Sequence, residues 1–202
     1  KRQHLLMSVS ELSTSTQNYL KAIWGLKEWS SEPVTATLIA KQLGLKLSSV
    51  SDAVRKMAKQ GLVSHTPYGS VELTELGRQY ALVMVRRHRL LESFLVQALG
   101  YTWDEVHNEA ENLEHAVSDM LIERVDKFLD YPTRDPHGDP IPTVDGQITI
   151  PSAHRLTDSG AQSQVTVERI SDSDPQLLKF LEERGIVTGA VLSTREGAPF
   201  SD

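Results

Sequence analysis

Six side chains with metal-ligating chemistry fall at helical spacing in the middle of the sequence. His88 and Glu92 stand at i, i+4, which turns both to one side of a helix. Further along, His107, Glu111, Glu114 and His115 fall at i, i+4, i+7 and i+8, a single stripe spanning roughly 100° of arc. Two sequential helices carrying these stripes can face one another and build one or two sites. Imidazole nitrogen with carboxylate oxygen is a donor set for Mn(II), Fe(II), Co(II) or Zn(II). The chain has no cysteine, so thiolate zinc sites, disulfides and cysteine nucleophiles are excluded. A lone His–Glu pair at this spacing is commonly a surface salt bridge, and it is the joint placement that points to ligation. The other histidines are His4, His65, His137 and His154. His-Glu-x-x-His, a Gly-rich phosphate loop and Gly-x-Ser-x-Gly are all absent, and no nucleophile–base pair stands out. The expected role of the metal is therefore to signal, and the chain reads as a regulator and not an enzyme.

Residues 13 to 29 form an expected first helix, with N-caps among Ser13 to Thr16 and Leu20, Ile23 and Trp24 at helical spacing. Pro33 ends it. A second helix follows Val34-Thr35, carries Leu38, Ile39 and Leu43, and closes at Gly44. Ser48 or Ser49 is the expected cap of a third helix with Val50, Ala53, Val54 and Met57 inward, ended by Gly61. Two strand-like runs, 62–65 and 70–73, are joined by Thr66-Pro67-Tyr68-Gly69. Helix, helix, turn, helix, hairpin is the order of a winged helix-turn-helix. A long helix over 74–99 carries Tyr80, Val83, Met84, Leu91, Phe94 and Leu95, more apolar surface than a small winged domain covers, part of it expected at a subunit interface. Thr102 to Glu105 is a capping box opening the next helix, and Ser118-Asp119 restarts the helical pattern as far as Leu129. Tyr131 to Pro151, rich in Pro, Gly and Asp, carries a linker signature. Beyond it, strands at 165–167 and 190–192 flank a helix over 175–184.

The expected fold is mainly α. It combines a winged helix-turn-helix (1–75), a helical metal-binding and dimerisation domain (76–142), a linker (143–164) and a partial SH3-like β segment (165–202). The net charge of −6 conceals an asymmetry. From Lys41 to Gly61, five basic residues oppose the single acid Asp52; from Trp103 to Asp130, nine acids oppose Arg124 and Lys127. The first stretch suits phosphates and the second suits cations. Lys46, Ser48, Ser49, Ser51, Asp52, Arg55, Lys56 and Lys59 are the candidate DNA contacts: hydroxyls and cationic donors for phosphates, and an acceptor in Asp52 for a cytosine amino group. No apolar run approaches membrane-spanning length and no signal peptide is read, so a cytoplasmic location is expected.

Asn18-Tyr19-Leu20, the helix-turn-helix through Gly61-Leu62-Val63, residues 87–92 and 106–115, and the run Asp135-Pro136-His137-Gly138-Asp139-Pro140-Ile141-Pro142 together resemble the diphtheria toxin repressor family of iron- and manganese-dependent regulators. The resemblance spans about Ser15 to Pro142, with a weaker match into a third, SH3-like domain. It implies one metal site from His88, Glu92 and His107, completed by Glu168 or Asp172. It implies a second from Glu111, Glu114 and His115 with Asn18 of the first helix. Iron regulators carry cysteine where this chain has Glu111, so the carboxylate matches the manganese group and favours Mn(II) over Fe(II), with Co(II) or Zn(II) as substitutes in vitro. That group has aspartate at Asn18; asparagine offers its amide oxygen without the charge. The implied partners are double-stranded operator DNA at metal-uptake genes and a second copy of the chain, with no membrane. A winged-helix regulator of another effector, a metal-dependent hydrolase and a metal buffer are the alternative readings.

Overall fold

A computed structural model describes residues 8–66 and 69–195. Leu5-Leu6-Met7, and Pro67 and Tyr68 in the expected wing turn, lie outside the described residues. The chain divides into two compact units, Lys1–Arg87 with Pro142–Gly146, and His88–Ile141 with Gln147–Asp202.

In the first unit, α1 (Thr14–Glu28) is capped by the Ser13 hydroxyl, which accepts the Thr16 N–H at 3.2 Å. Helix α2 (Ala36–Leu43) is capped by Thr35 and ends at Gly44. Helix α3 (Leu47–Lys59) begins earlier than expected, with Lys46 as its cap residue and no side-chain cap bond. The Leu45 N–H returns to the Ala40 carbonyl and the Val50 N–H already bonds the Lys46 carbonyl, so Ser48 and Ser49 lie inside the first turn and cannot cap it. Strands β1 (Val63–His65) and β2 (Val71–Leu73) pair antiparallel, with Val63 opposite Leu73. Val50, Val54 and Met57 of α3 join Leu20, Ile23, Ile39, Val63 and Val71 in one buried core. That core is what turns the polar face of α3 outward.

Helix α4 (Glu75–Leu99) starts tightly against the hairpin. The Thr74 hydroxyl donates to the Gly61 carbonyl at 2.7 Å and accepts the Gly77 N–H at 3.1 Å. A Cβ on Gly77 would stand 1.9 Å from the Leu62 carbonyl oxygen, a backbone atom that cannot swing aside. The apolar residues of α4 that looked surplus are largely consumed within the chain: Tyr80 and Met84 are buried in the first core, Leu91 and Leu95 in the second. A later helix exposes three large apolar side chains, Met120, Leu121 and Phe128.

In the second unit, α5 (Trp103–Leu113) and α6 (Asp119–Phe128) pack on the last half of α4 through Leu90, Leu91, Leu95, Val106, Ala110, Ile122 and Val125. The Glu105 carboxylate accepts the Thr102 N–H at 3.3 Å, as the capping box requires. The first part of the expected linker is buried. Asp135, His137, Asp139 and Ile141 are all shielded from solvent, and the turn's own carboxylate takes up its backbone amides. Asp135 Oδ1 accepts the backbone N–H groups of His137 and Asp139, each at 2.9 Å, and the Arg89 guanidinium donates to the Pro140 carbonyl at 2.6 Å. Strands β3 (Gln164–Thr166) and β4 (Val191–Ser193) pair antiparallel around α7 (Pro175–Glu182), which packs through Leu178 against Trp103 and Ile170. Among the described residues no helix is long and apolar enough to cross a membrane.

Two glycine substitutions test this packing. Gly25 of α1 has nothing within 4 Å of an added Cβ, so Gly25→Ala should stabilise the chain by up to about 1 kcal/mol. Gly77→Ala should destabilise it by about 1–3 kcal/mol, read by chemical denaturation; a neutral Gly77→Ala would contradict the contact with Leu62.

Candidate metal centre

Helix α4 delivers His88 and Glu92 one turn apart into the second unit, and Leu90, Leu91 and Leu95, buried in the core, fix the rotation of the helix. Helix α5 presents His107 and Glu111, with Glu114 at its C-terminal cap and His115 just beyond, while Val106 and Ala110 lock its opposite stripe. The two stripes meet. His88 Nε2 lies 3.0 Å from Glu92 Oε1 and 3.2 Å from His107 Nδ1, which is 3.3 Å from the same Glu92 oxygen. Asp172, from the segment between β3 and α7, brings Oδ2 to 3.5 Å from His107 Nδ1. One ligand atom from each of His88, Glu92, His107 and Asp172 lies within 4.8 Å of all the others. Ligands bound at about 2.0–2.2 Å to one ion stand roughly 3–4.4 Å apart, so the donor set fits a divalent cation in both spacing and chemistry.

Glu168 does not join this group. Its carboxylate is 2.6 Å from the Arg134 guanidinium, which holds it away, so of the two residues expected from the C-terminal segment only Asp172 reaches the cluster. The second expected set is brought together in part. Glu114, fully buried, places Oε2 2.6 Å from His88 Nδ1 and Oε1 3.4 Å from His115 Nε2. Glu111 Oε1 lies 3.9 Å from His88 Nδ1 and 3.8 Å from His107 Nε2. His88 therefore faces the first group with one nitrogen and Glu111 and Glu114 with the other. Asn18 lies on α1 of the first unit, its amide oxygen buried without a hydrogen-bond partner.

Burial alone would raise the Glu92 carboxyl, but the imidazoles of His88, His107 and His137 outweigh it and hold the group well below the usual carboxylate range. Asp135 goes the other way, pushed up to about 8, first by burial and then by Glu92 and Asp139. Burial would lower His137, yet Glu92, then Asp135 and Asp172, draw it upward. His137 and the aspartates around it escaped the sequence reading because they sit in a turn, where no periodicity marks an inward face.

Two family models tile this architecture: the N-terminal DNA-binding domain of iron-dependent repressors over residues 11–71, and their metal-binding and dimerisation domain over 74–143. The FeoA domain matches residues 154–202. The iron-dependent repressor IdeR of Mycobacterium tuberculosis is 35% identical over 194 residues, covering 90% of this chain and 84% of that protein. The chain belongs to the diphtheria toxin repressor family. The diphtheria toxin repressor of Corynebacterium diphtheriae is 36% identical over 137 residues, 68% of this chain and 60% of its own. A solved manganese-dependent transcriptional repressor in complex with manganese is 51% identical with a TM-score of 0.86, covering 90% of this chain and 83% of that one. The manganese regulator SloR is 37% identical with a TM-score of 0.73, covering 87% and 81%.

As the family's helix-turn-helix requires, α3 displays its polar face. Lys46, Ser48, Ser49, Asp52, Arg55, Lys56 and Lys59 are exposed. Ser51 is half-buried and its hydroxyl donates to the Leu47 carbonyl at 2.9 Å, while Arg55 and Asp52 pair with each other.

The turn beside the cluster yields a test. A Cβ on Gly138 (φ 92°) would stand 2.1 Å from the Glu168 carbonyl oxygen. Gly138→Ala should therefore loosen residues 164–195, seen as faster amide hydrogen exchange there with α4 and α5 unchanged. Parental exchange would show that the turn does not hold the segment.

Proposed function

We propose that the chain is a metal-dependent transcriptional repressor that binds double-stranded operator DNA as a homodimer when loaded with Mn(II), with Fe(II) as the alternative ion. The observation that carries this reading is the convergence of His88, Glu92, His107 and Asp172 within 4.8 Å. These residues would hold one ion. Glu111, Glu114 and His115 are the proposed ligands of the second, His88 facing both sets. The bound ion supplies positive charge where carboxylates crowd, not bond-breaking chemistry. Carboxylate at Glu111 in a cysteine-free chain favours Mn(II).

Residues 1–75 act as the DNA-reading module and 76–142 as the metal and dimer module, followed by a connection and the SH3-like segment. The exposed face of α6, with Met120 (68% exposed), Leu121 and Phe128 (67%), is the apolar surface best suited to a second copy. In the dimer, two α3 helices would enter successive major grooves, with Lys46, Ser48, Ser49, Lys56 and Lys59 on phosphates and Arg55 and Asp52 at base edges once they part. Metal and DNA favour the same conformer, so each tightens the binding of the other. The protein is proposed to act in the cytoplasm on promoters of metal-uptake genes.

Operator binding followed by fluorescence anisotropy should strengthen about 5- to 150-fold on saturation with Mn(II), the usual range of allosteric coupling; equal affinity in both conditions would remove the switch. His88→Ala, or the pair Glu111→Ala and His115→Ala, should abolish that response in a folded dimer, and Asp172→Ala should weaken it while Glu168→Ala does not. Lowering the pH from about 7.5 to about 5.5 should weaken Mn(II) binding, because each ligating imidazole must be neutral and competes with its own proton. Calorimetry showing no uptake of Mn(II) or Fe(II) would favour a different effector.

A further inference from the structure

The connection after α1 runs beside the hairpin, where the Val71 N–H donates to the Val34 carbonyl at 2.8 Å. That bond ties β2 to the segment before α2 but leaves space against α1. A cavity of about 360 Å³ lies there, walled by Ile23 and Trp24 of α1, Pro33 and Val34 of the connection, and Val71 and Leu73 of β2. Its volume falls at the small end of ligand pockets, roughly 300–1,000 Å³. It sits wholly within the first unit and shares no residue with the metal ligands or with the polar face of α3.

These walls are apolar, and the remaining lining carries charge: Lys27 and Arg78 oppose Glu72. The acid has a partner, since the Ser70 hydroxyl donates to Glu72 Oε1 at 3.4 Å. Lys27 uses one of its three donors on the Ser31 carbonyl at 3.1 Å. Arg78 is half-buried, with its guanidinium carbon 5.5 Å from the centroid of the Trp24 ring. Among the described residues no carboxylate pairs with it. A guanidinium over an indole keeps its edge for the two oxygens of a carboxylate. The indole face and the aliphatic walls suit a flat ring.

We infer that this cavity binds a small aromatic carboxylate, its ring against Trp24, Val34 and Leu73 and its carboxylate on Arg78, with Lys27 adding charge. Strand β2 is both a wall of the cavity and a strand of the hairpin. Occupancy therefore bears on the wing, an input to DNA binding that does not pass through the metal centre. A free phosphate has the charge but no apolar surface for these walls. A neutral hydrocarbon leaves Arg78 without a counter-charge.

The test titrates the full chain with naphthoate, its neutral counterpart naphthalenemethanol, and inorganic phosphate. Backbone amide resonances locate binding and calorimetry measures it. Naphthoate should shift the amides of Val34, Val71 and Leu73 and bind about tenfold or more tightly than the alcohol, the return expected of a charge-assisted pair. Phosphate alone should leave those amides unmoved. Arg78→Gln should erase the preference for naphthoate and keep binding of the alcohol. Ser70→Phe, which places a ring in the cavity, should block both. Where thermal melting shows that it fails to fold, Ser31→Phe takes its place under the same criteria. With Mn(II) saturating, bound naphthoate should change operator affinity about fivefold or more. Unmoved cavity amides, shifts confined to the second unit, or equal affinity for acid and alcohol would overturn the carboxylate site. Binding with operator affinity unchanged would overturn its link to the wing. A chain that binds no operator at any Mn(II) concentration would instead overturn the repressor reading, and the amide shifts would still decide the site.

Discussion

The structure of the second unit depends on stabilising one carboxylate in its interior. Glu92 is 1% exposed and held well below the usual carboxylate range. Removing an isolated carboxylate from water costs several kcal/mol, and a charge-assisted hydrogen bond returns about 1.5–3 kcal/mol, so a single partner does not suffice. Three imidazoles face it, from α4, α5 and the buried turn. Each arrives from a different segment, and packing those segments together is what the surrounding core of Leu90, Leu91, Leu95, Val106 and Ala110 accomplishes. Around this carboxylate stand Glu111, Glu114 and Asp172, giving a concentration of negative charge that neutral imidazoles alone leave uncompensated. A divalent cation resolves that imbalance, and the acid-rich stretch after Trp103 is its trace in the composition.

The basic and acidic stretches also explain how a chain of net charge −6 can serve as a DNA-binding protein. The basic residues of α3, Arg55, Lys56 and Lys59, stand on its outer face, because the inward stripe is taken by Val50, Val54 and Met57. The chain's anions gather on α5 and α6. Field and local potential, not the sum, decide what approaches each surface.

The helices were legible because their signals are local. Ser13, Thr35, Ser118 and Gly44 mark ends by hydrogen bonds and backbone conformations that need no tertiary partner. Helix α3 starts before the serines that predict its cap, because a tight turn after Gly44, not a serine hydroxyl, decides where it begins. The run after Tyr131 is irregular, as its composition predicts, but its first part is buried and not an exposed linker. Proline, glycine and aspartate carry the same composition in an exposed linker and in a buried turn whose carboxylates satisfy its own amides, and only the packing tells them apart. For the same reason the ligand stripes on α4 and α5 could be read from spacing while His137 could not. The choice of Asp172 over Glu168 turns on Arg134 capturing Glu168, a contact across 34 residues that no periodicity records.

The most direct test of the cation-centred account is anomalous diffraction from crystals of the chain grown with Mn(II). The account predicts an anomalous peak between His88 Nε2, Glu92 Oε1, His107 Nδ1 and Asp172 Oδ2. Strong manganese peaks confined to other places, with the imidazoles and carboxylates of this cluster still bonded directly to one another, would contradict it.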